Sequence, residues 1–178
     1  MTQRLTVQRA IAADPATIFE ILATPSGHVA IDASGMLMAA DGPRVSAVGD
    51  RFDVHMDREA LNDYPLGEYT VTVVIDRFEP DRAIAWTIDG VIQPPIGHVY
   101  GYDLEPIDDG TMVTSYYDWS NINDAYRDAA ASIFPVISET NLRATLGILA
   151  RVAAPGRPRP GATATPKGGV AVDQLDEG

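Results

Sequence analysis

Cysteine is absent from the 178 residues, and lysine occurs once, at Lys167. Without cysteine there is no disulfide framework, no thiolate nucleophile and no zinc finger. Basic residues are scarce overall: thirteen Lys+Arg stand against twenty-five Asp+Glu, a formal net charge of −12. Binding a polyanion needs cations that displace counterions from phosphates, so no nucleic-acid partner is expected. An anionic membrane surface is disfavoured for the same reason. No apolar run approaches the roughly 20 residues needed to span a bilayer. Met1 to Arg9 carries charge but no apolar stretch of signal-peptide length. His-Glu-x-x-His, Gly-x-Ser-x-Gly, Gly-x-Gly-x-x-Gly and the P-loop are missing too, so no metal, hydrolase triad or nucleotide cofactor is expected. The expectation left is a cytoplasmic, soluble, single-domain protein, 46% hydrophobic and 21% charged.

Composition changes near Ala154. Pro155 to Gly178 holds five Gly and four Pro, has no aromatic residue and carries no net charge. Such a stretch buries too little apolar surface to offset its ordering entropy, so a disordered tail is expected over 155–178 and a folded domain over 1–154. All of the excess negative charge then belongs to the domain.

Within 1–154, Leu5, Val7, Ala10 and Ile11 alternate imperfectly with polar residues, which predicts a first strand. Asp14-Pro15 starts a short helix with Ile18, Phe19, Ile21 and Leu22 on its apolar side, and Thr24-Pro25 stops it. Gly27 to Ile31 suits a second helical turn, and an exposed loop is expected from Asp32-Ala-Ser-Gly35. Five strands are then predicted: 48–55, 68–78, 83–89, 97–105 and 111–119, the last two joined by a turn at Asp109-Gly110. Short connections make the sheet antiparallel. A helix is predicted from Val136 to Ala153, long enough at about 27 Å to cross the full width of the sheet.

Three stretches resemble one known superfamily. They are Val7-Gln-Arg-Ala-Ile-Ala-Ala-Asp-Pro-Ala-Thr-Ile-Phe19, the late hairpin from Gly97 through Asp118-Trp-Ser120, and the terminal helix with Leu142 to Leu149. The chain resembles the START-like helix-grip (SRPBCC) superfamily, in particular its bacterial polyketide cyclase/dehydrase-like branch. The resemblance implies an α+β helix-grip fold: a curved antiparallel sheet wrapped around a long C-terminal helix, with two small helices after the first strand. It further implies a cavity between sheet and helix that takes a small hydrophobic or aromatic ligand such as a lipid or polyketide. Function has still to be argued from the site.

Six aromatic residues fall on three late strands: Trp86, Tyr100, Tyr102, Tyr116, Tyr117 and Trp119. Flat apolar faces with O–H and N–H handles suit a ring-containing ligand. Trp86, Tyr100, Tyr102, Tyr117, Trp119, Ile137 and Asn141 are accordingly the candidate ligand-binding residues, with His98 or His28 as polar anchor. An enzyme is the alternative, a cyclase, aromatase or dehydratase in which His98 or His28 works with Tyr100 in acid–base roles. A third class is an interaction module whose cavity is filled by side chains. His55 sits by a polar loop and is given no role. His28 and Asp32 are not expected on one continuous helix, and the scattered acidic groups form no pair, so they read as surface. Nothing in the sequence points to an oligomeric state.

Overall fold

The computed structural model describes residues 3–161. Strand β1 (Arg4–Ile11) is followed by helices α1 (Pro15–Ala23) and α2 (Pro25–Ile31). Six further strands come next: β2 (Leu37–Asp41), β3 (Arg51–Asp57), β4 (Glu68–Glu79), β5 (Ala83–Gly90), β6 (Val99–Ile107) and β7 (Gly110–Asp118). A short α3 (Ala130–Ile133) precedes the terminal helix α4 (Glu139–Ala153). The strands make one antiparallel sheet in the order β1-β7-β6-β5-β4-β3-β2. This is the α+β helix-grip arrangement that the resemblance implied. No helix among the described residues is long and apolar enough to cross a membrane.

Local chemistry explains most of the boundaries. The Asp14 carboxylate accepts the Thr17 N–H at 2.8 Å and caps α1, with Pro15 in the first turn. Asp109 adopts φ 66°, a left-handed conformation that Asp tolerates, and closes the turn that pairs Ile107 with Gly110. Register then fixes the two faces. Directly paired residues share a face, so Phe52↔Val73, Ile75↔Trp86, Ile84↔Tyr102 and Tyr100↔Tyr117 all point inward. The outer face is polar, with Thr72 donating to Asp53 at 2.7 Å and Arg51 to Asp89 at 3.0 Å. There the Tyr116 ring lies flat over Gly101, where an added Cβ would come within 2.3 Å of it.

Three expectations need correction. The loop expected after Asp32 contains β2, an edge strand paired with β3. Its Met-Ala-Ala centre has little β preference, and the pairing is irregular between Leu37 and Ala39. β3 begins at Arg51 rather than 48, because the Asp50 carboxylate gathers the Ser46 and Ala47 N–H groups into a turn through Gly49 at φ 89°. The terminal helix begins at Glu139 rather than Val136. Ser138 is its cap, accepting the Asn141 N–H at 3.1 Å. Its 15 residues give about 22 Å rather than 27 Å, and it rests on β1, β7, α1 and α2 instead of crossing the whole sheet. Leu142, Leu146 and Leu149 are its buried face, packed with Ile18, Phe19 and Leu22 of α1. After α4 the chain turns back, and the Arg157 guanidinium donates to the Ala12 carbonyl at 3.2 Å. The tail expected over 155–178 lies, from Ala162 onward, outside the described residues.

Candidate functional site

Because α4 covers only the β1–β7 side, the inner face of β3 to β6 is left without a helix over part of its length. The gap is a cavity of about 520 Å³, within the range of small-molecule pockets. Val71 and Val73 of β4, Trp86 and Ile88 of β5 and Tyr100 and Tyr102 of β6 form its floor; Ile137 and Leu142 stand across from them. Four of the exposed large apolar side chains, Tyr64, Leu66, Val91 and Ile92, surround its mouth on the β3–β4 and β5–β6 connections.

Of the sequence candidates, His28, Trp86, His98, Tyr100, Tyr102, Ile137 and Asn141 line this cavity. Tyr117 and Trp119 lie behind the lining. Tyr117 is fully buried and stacks on Tyr100 with ring centroids 4.7 Å apart, and Trp119 stacks on Tyr117 at 5.2 Å. Trp86 runs nearly parallel to both Tyr100 and Tyr102. Cross-strand pairing therefore makes a continuous aromatic layer from β5 through β7. Asn141 keeps its side-chain oxygen at 2.5 Å from the Ser138 hydroxyl, at the start of α4.

The two buried histidines are held differently. His28 donates its Nε2–H to the Leu22 carbonyl at 2.8 Å; a carbonyl can only accept, so the tautomer is set and Nδ1 keeps its lone pair. Its ring stands edge-on to Phe52 and Trp86, at 4.8 and 4.5 Å. Burial holds this imidazole at about 4, and the Leu22 carbonyl offsets only part of that effect. His98 places Nδ1 at 2.9 Å from the Tyr117 hydroxyl, and burial likewise holds it at about 4. Burial pushes the Tyr102 phenol up to about 12, and raises Tyr100 and Tyr117 further. At neutral pH all five groups are uncharged. Among the described residues, neither His28 Nδ1 nor His98 Nε2 has a hydrogen-bond partner in the protein.

Sequence reasoning missed Arg58. It reads as part of a polar loop, yet it continues the inward parity of Phe52, Val54 and Met56 by one more step. That spacing was the available signal. The side chain is buried at 8% exposure and lines the cavity. Its Nε and Nη2 donate to the two Asp63 oxygens at 2.7 and 2.6 Å, and Nη1 reaches Met36 Sδ at 3.3 Å. Asp32 and Arg58 are the charged residues of the lining. The Asp32 carboxylate serves its own turn, accepting from Ser34 and from the Leu37 N–H. His55, set aside at the outset, lies on the outer face and pairs with Asp41 at 2.6 Å.

No protein-family model and no curated protein sequence matches the chain. Solved structures do. A crystal structure of a protein from Chromobacterium violaceum superposes with TM-score 0.60 at 14% identity, over 86% of this chain and 98% of that one. The AHSA1-like protein from Aeromonas hydrophila gives TM-score 0.52 at 15% identity, over 83% and 90%. The Aha1 dimer from Colwellia psychrerythraea gives TM-score 0.52 at 15% identity, over 88% and 100%. Likeness at such low identity shows the shared helix-grip fold.

Proposed function

We propose that this chain binds a small hydrophobic or aromatic ligand, a lipid, polyketide or similar metabolite, in the cavity between the sheet and the C-terminal helix. The observation that carries this reading is the 520 Å³ space itself, floored by Trp86, Tyr100 and Tyr102. Stacking surfaces and unpartnered imidazole nitrogens are what an aromatic ligand with a few polar atoms requires. The cytoplasmic setting expected from the sequence is part of the same proposal. The test is denaturing extraction and mass spectrometry of the purified protein, with titration by the neutral fluorophore N-phenyl-1-naphthylamine. A co-purifying apolar compound or saturable fluorescence enhancement is expected; absence of both overturns the reading.

A cyclase-, aromatase- or dehydratase-type activity is the second reading, favoured by the 2.9 Å contact between His98 and Tyr117. Protonated tyrosines suit donation to a substrate carbonyl. Imidazoles held at about 4 are weak bases at neutral pH, however, and general-base catalysis works best with a pKa near the operating pH. Binding therefore leads. No turnover of a poly-β-ketone thioester by the wild-type chain would sink the enzyme reading, and turnover that survives both His28→Ala and His98→Ala would sink the acid–base roles given to the histidines.

A further inference from the structure

Arg58 narrows the ligand class. A guanidinium has two hydrogen-bonding edges useful to a carboxylate, one made by Nε and Nη2 and the other by Nη1 and Nη2. Asp63 occupies the first edge as a two-point pair from the outer side. On the second edge Nη1 donates to Met36 Sδ at 3.3 Å, a weak acceptor; the Tyr69 side chain lies beside the guanidinium, and the Tyr64 ring centroid is 5.1 Å from its carbon. Arg58 is nonetheless buried and lines the cavity, beside Tyr69 and within electrostatic reach of the Tyr100 hydroxyl. Among the described residues no carboxylate or carbonyl takes that second edge, and a planar pair of oxygens fits it. One guanidinium can hold two carboxylates, one on each edge.

We propose that Arg58 is the head-group anchor of the cavity, and that the ligand is a hydrophobic carboxylic acid whose carboxylate takes the Nη1–Nη2 edge while its apolar body lies over Trp86 and Ile88. This rests on the cavity-binding reading above and specifies its ligand. Asp63 keeps the empty site near neutral, and its repulsion limits the affinity for the acid. Asp32 is already held by its own turn, and its charge opposes the reverse orientation of the ligand.

Competition against N-phenyl-1-naphthylamine tests this at pH 7 with a chain-matched pair, dodecanoate and 1-dodecanol. Wild-type protein is expected to prefer the acid by about tenfold, as a charge-assisted two-point bond implies. In Arg58→Gln the ratio falls to about one. Asp63→Asn raises it above the wild-type value, because Arg58 then faces one carboxylate fewer. Circular dichroism establishes that each variant is folded, and the wild-type ratio stands on its own if one is not. Equal wild-type affinities, or a preference for the acid that persists in folded Arg58→Gln, overturn the anchor and leave the cavity reading intact. If fluorophore, acid and alcohol all fail to bind, the cavity reading falls and takes the anchor with it.

Discussion

The inner face of the sheet is mostly apolar, but its two ends have different fates. At the α1 and α4 end, Ile18, Leu22, Ile84, Leu146 and Leu149 are all at most 1% exposed, with side chains interlocked. At the other end, residues of the same type (Val71, Ile88, Ile137) line the cavity, and Val91 and Ile92 at the rim are 58% and 44% exposed. Apolar surface that is left unfilled contributes less to folding than the same surface packed at the density of a protein interior. The hollow end therefore gives up stability, in keeping with a role in binding.

The sharpest way to break this comparison is to cut into the packed end. Leu146→Ala should cost about 2–5 kcal/mol, the usual loss for a fully buried leucine, read as a lower midpoint in urea. A loss below about 1 kcal/mol would show that the two ends are packed alike.

Acid acts at the border between them. His28 and His98 are held at about 4 in the folded chain and return to about 6.5 on unfolding. The unfolded state therefore binds more protons between these values. The histidine contribution should be complete above pH 6.5, fall as pH drops towards 4 and level off below that, by roughly 3 kcal/mol for each histidine, while the hydrogen-bonded carboxylates of Asp14, Asp50 and Asp63 carry the loss on at lower pH. Urea midpoints at pH 7, 5.5 and 4.5 check the slope. His28→Gln should remove about half of it, and an unchanged slope would mean that His28 is not buried neutral.

Filling the hollow separates binding from folding. Ile88→Trp places a larger side chain on the cavity floor, where it should abolish fluorophore binding while stability moves by only about 1 kcal/mol. A large destabilisation would mean that the space is tightly packed. The smallest effect belongs to the rim: Val91→Ser with Ile92→Ser should stay within about 0.5 kcal/mol of the parent in the same urea titration.

Period-two alternation made the strands legible in the sequence, and Asp14-Pro15 and Thr24-Pro25 marked the limits of α1. β2 was not legible, because Ala39 and Ala40 carry no strand preference and pairing with β3 decides their conformation. The aromatic residues of the site were found from their clustering on late strands. Whether each reached the cavity depended on where α4 begins, and that is decided by the Ser138 cap. Arg58 escaped notice because a charged residue after a strand ordinarily faces water. Only its parity with Val54 and Met56 pointed inward.

The hydrogen bond from His28 to the Leu22 carbonyl does more than set a tautomer. Pro25, two residues past the end of α1, has no N–H to continue the helix, so the last carbonyls of α1 need other donors. The Thr24 hydroxyl serves Glu20 and Ile21, the Val45 N–H serves Ala23, and the His28 imidazole serves Leu22. One wall of the cavity is thus also the stopper of a helix. A ligand that turns that ring to reach its Nδ1 must loosen the end of α1, so occupancy of the cavity would be felt in amide-exchange rates one helix away.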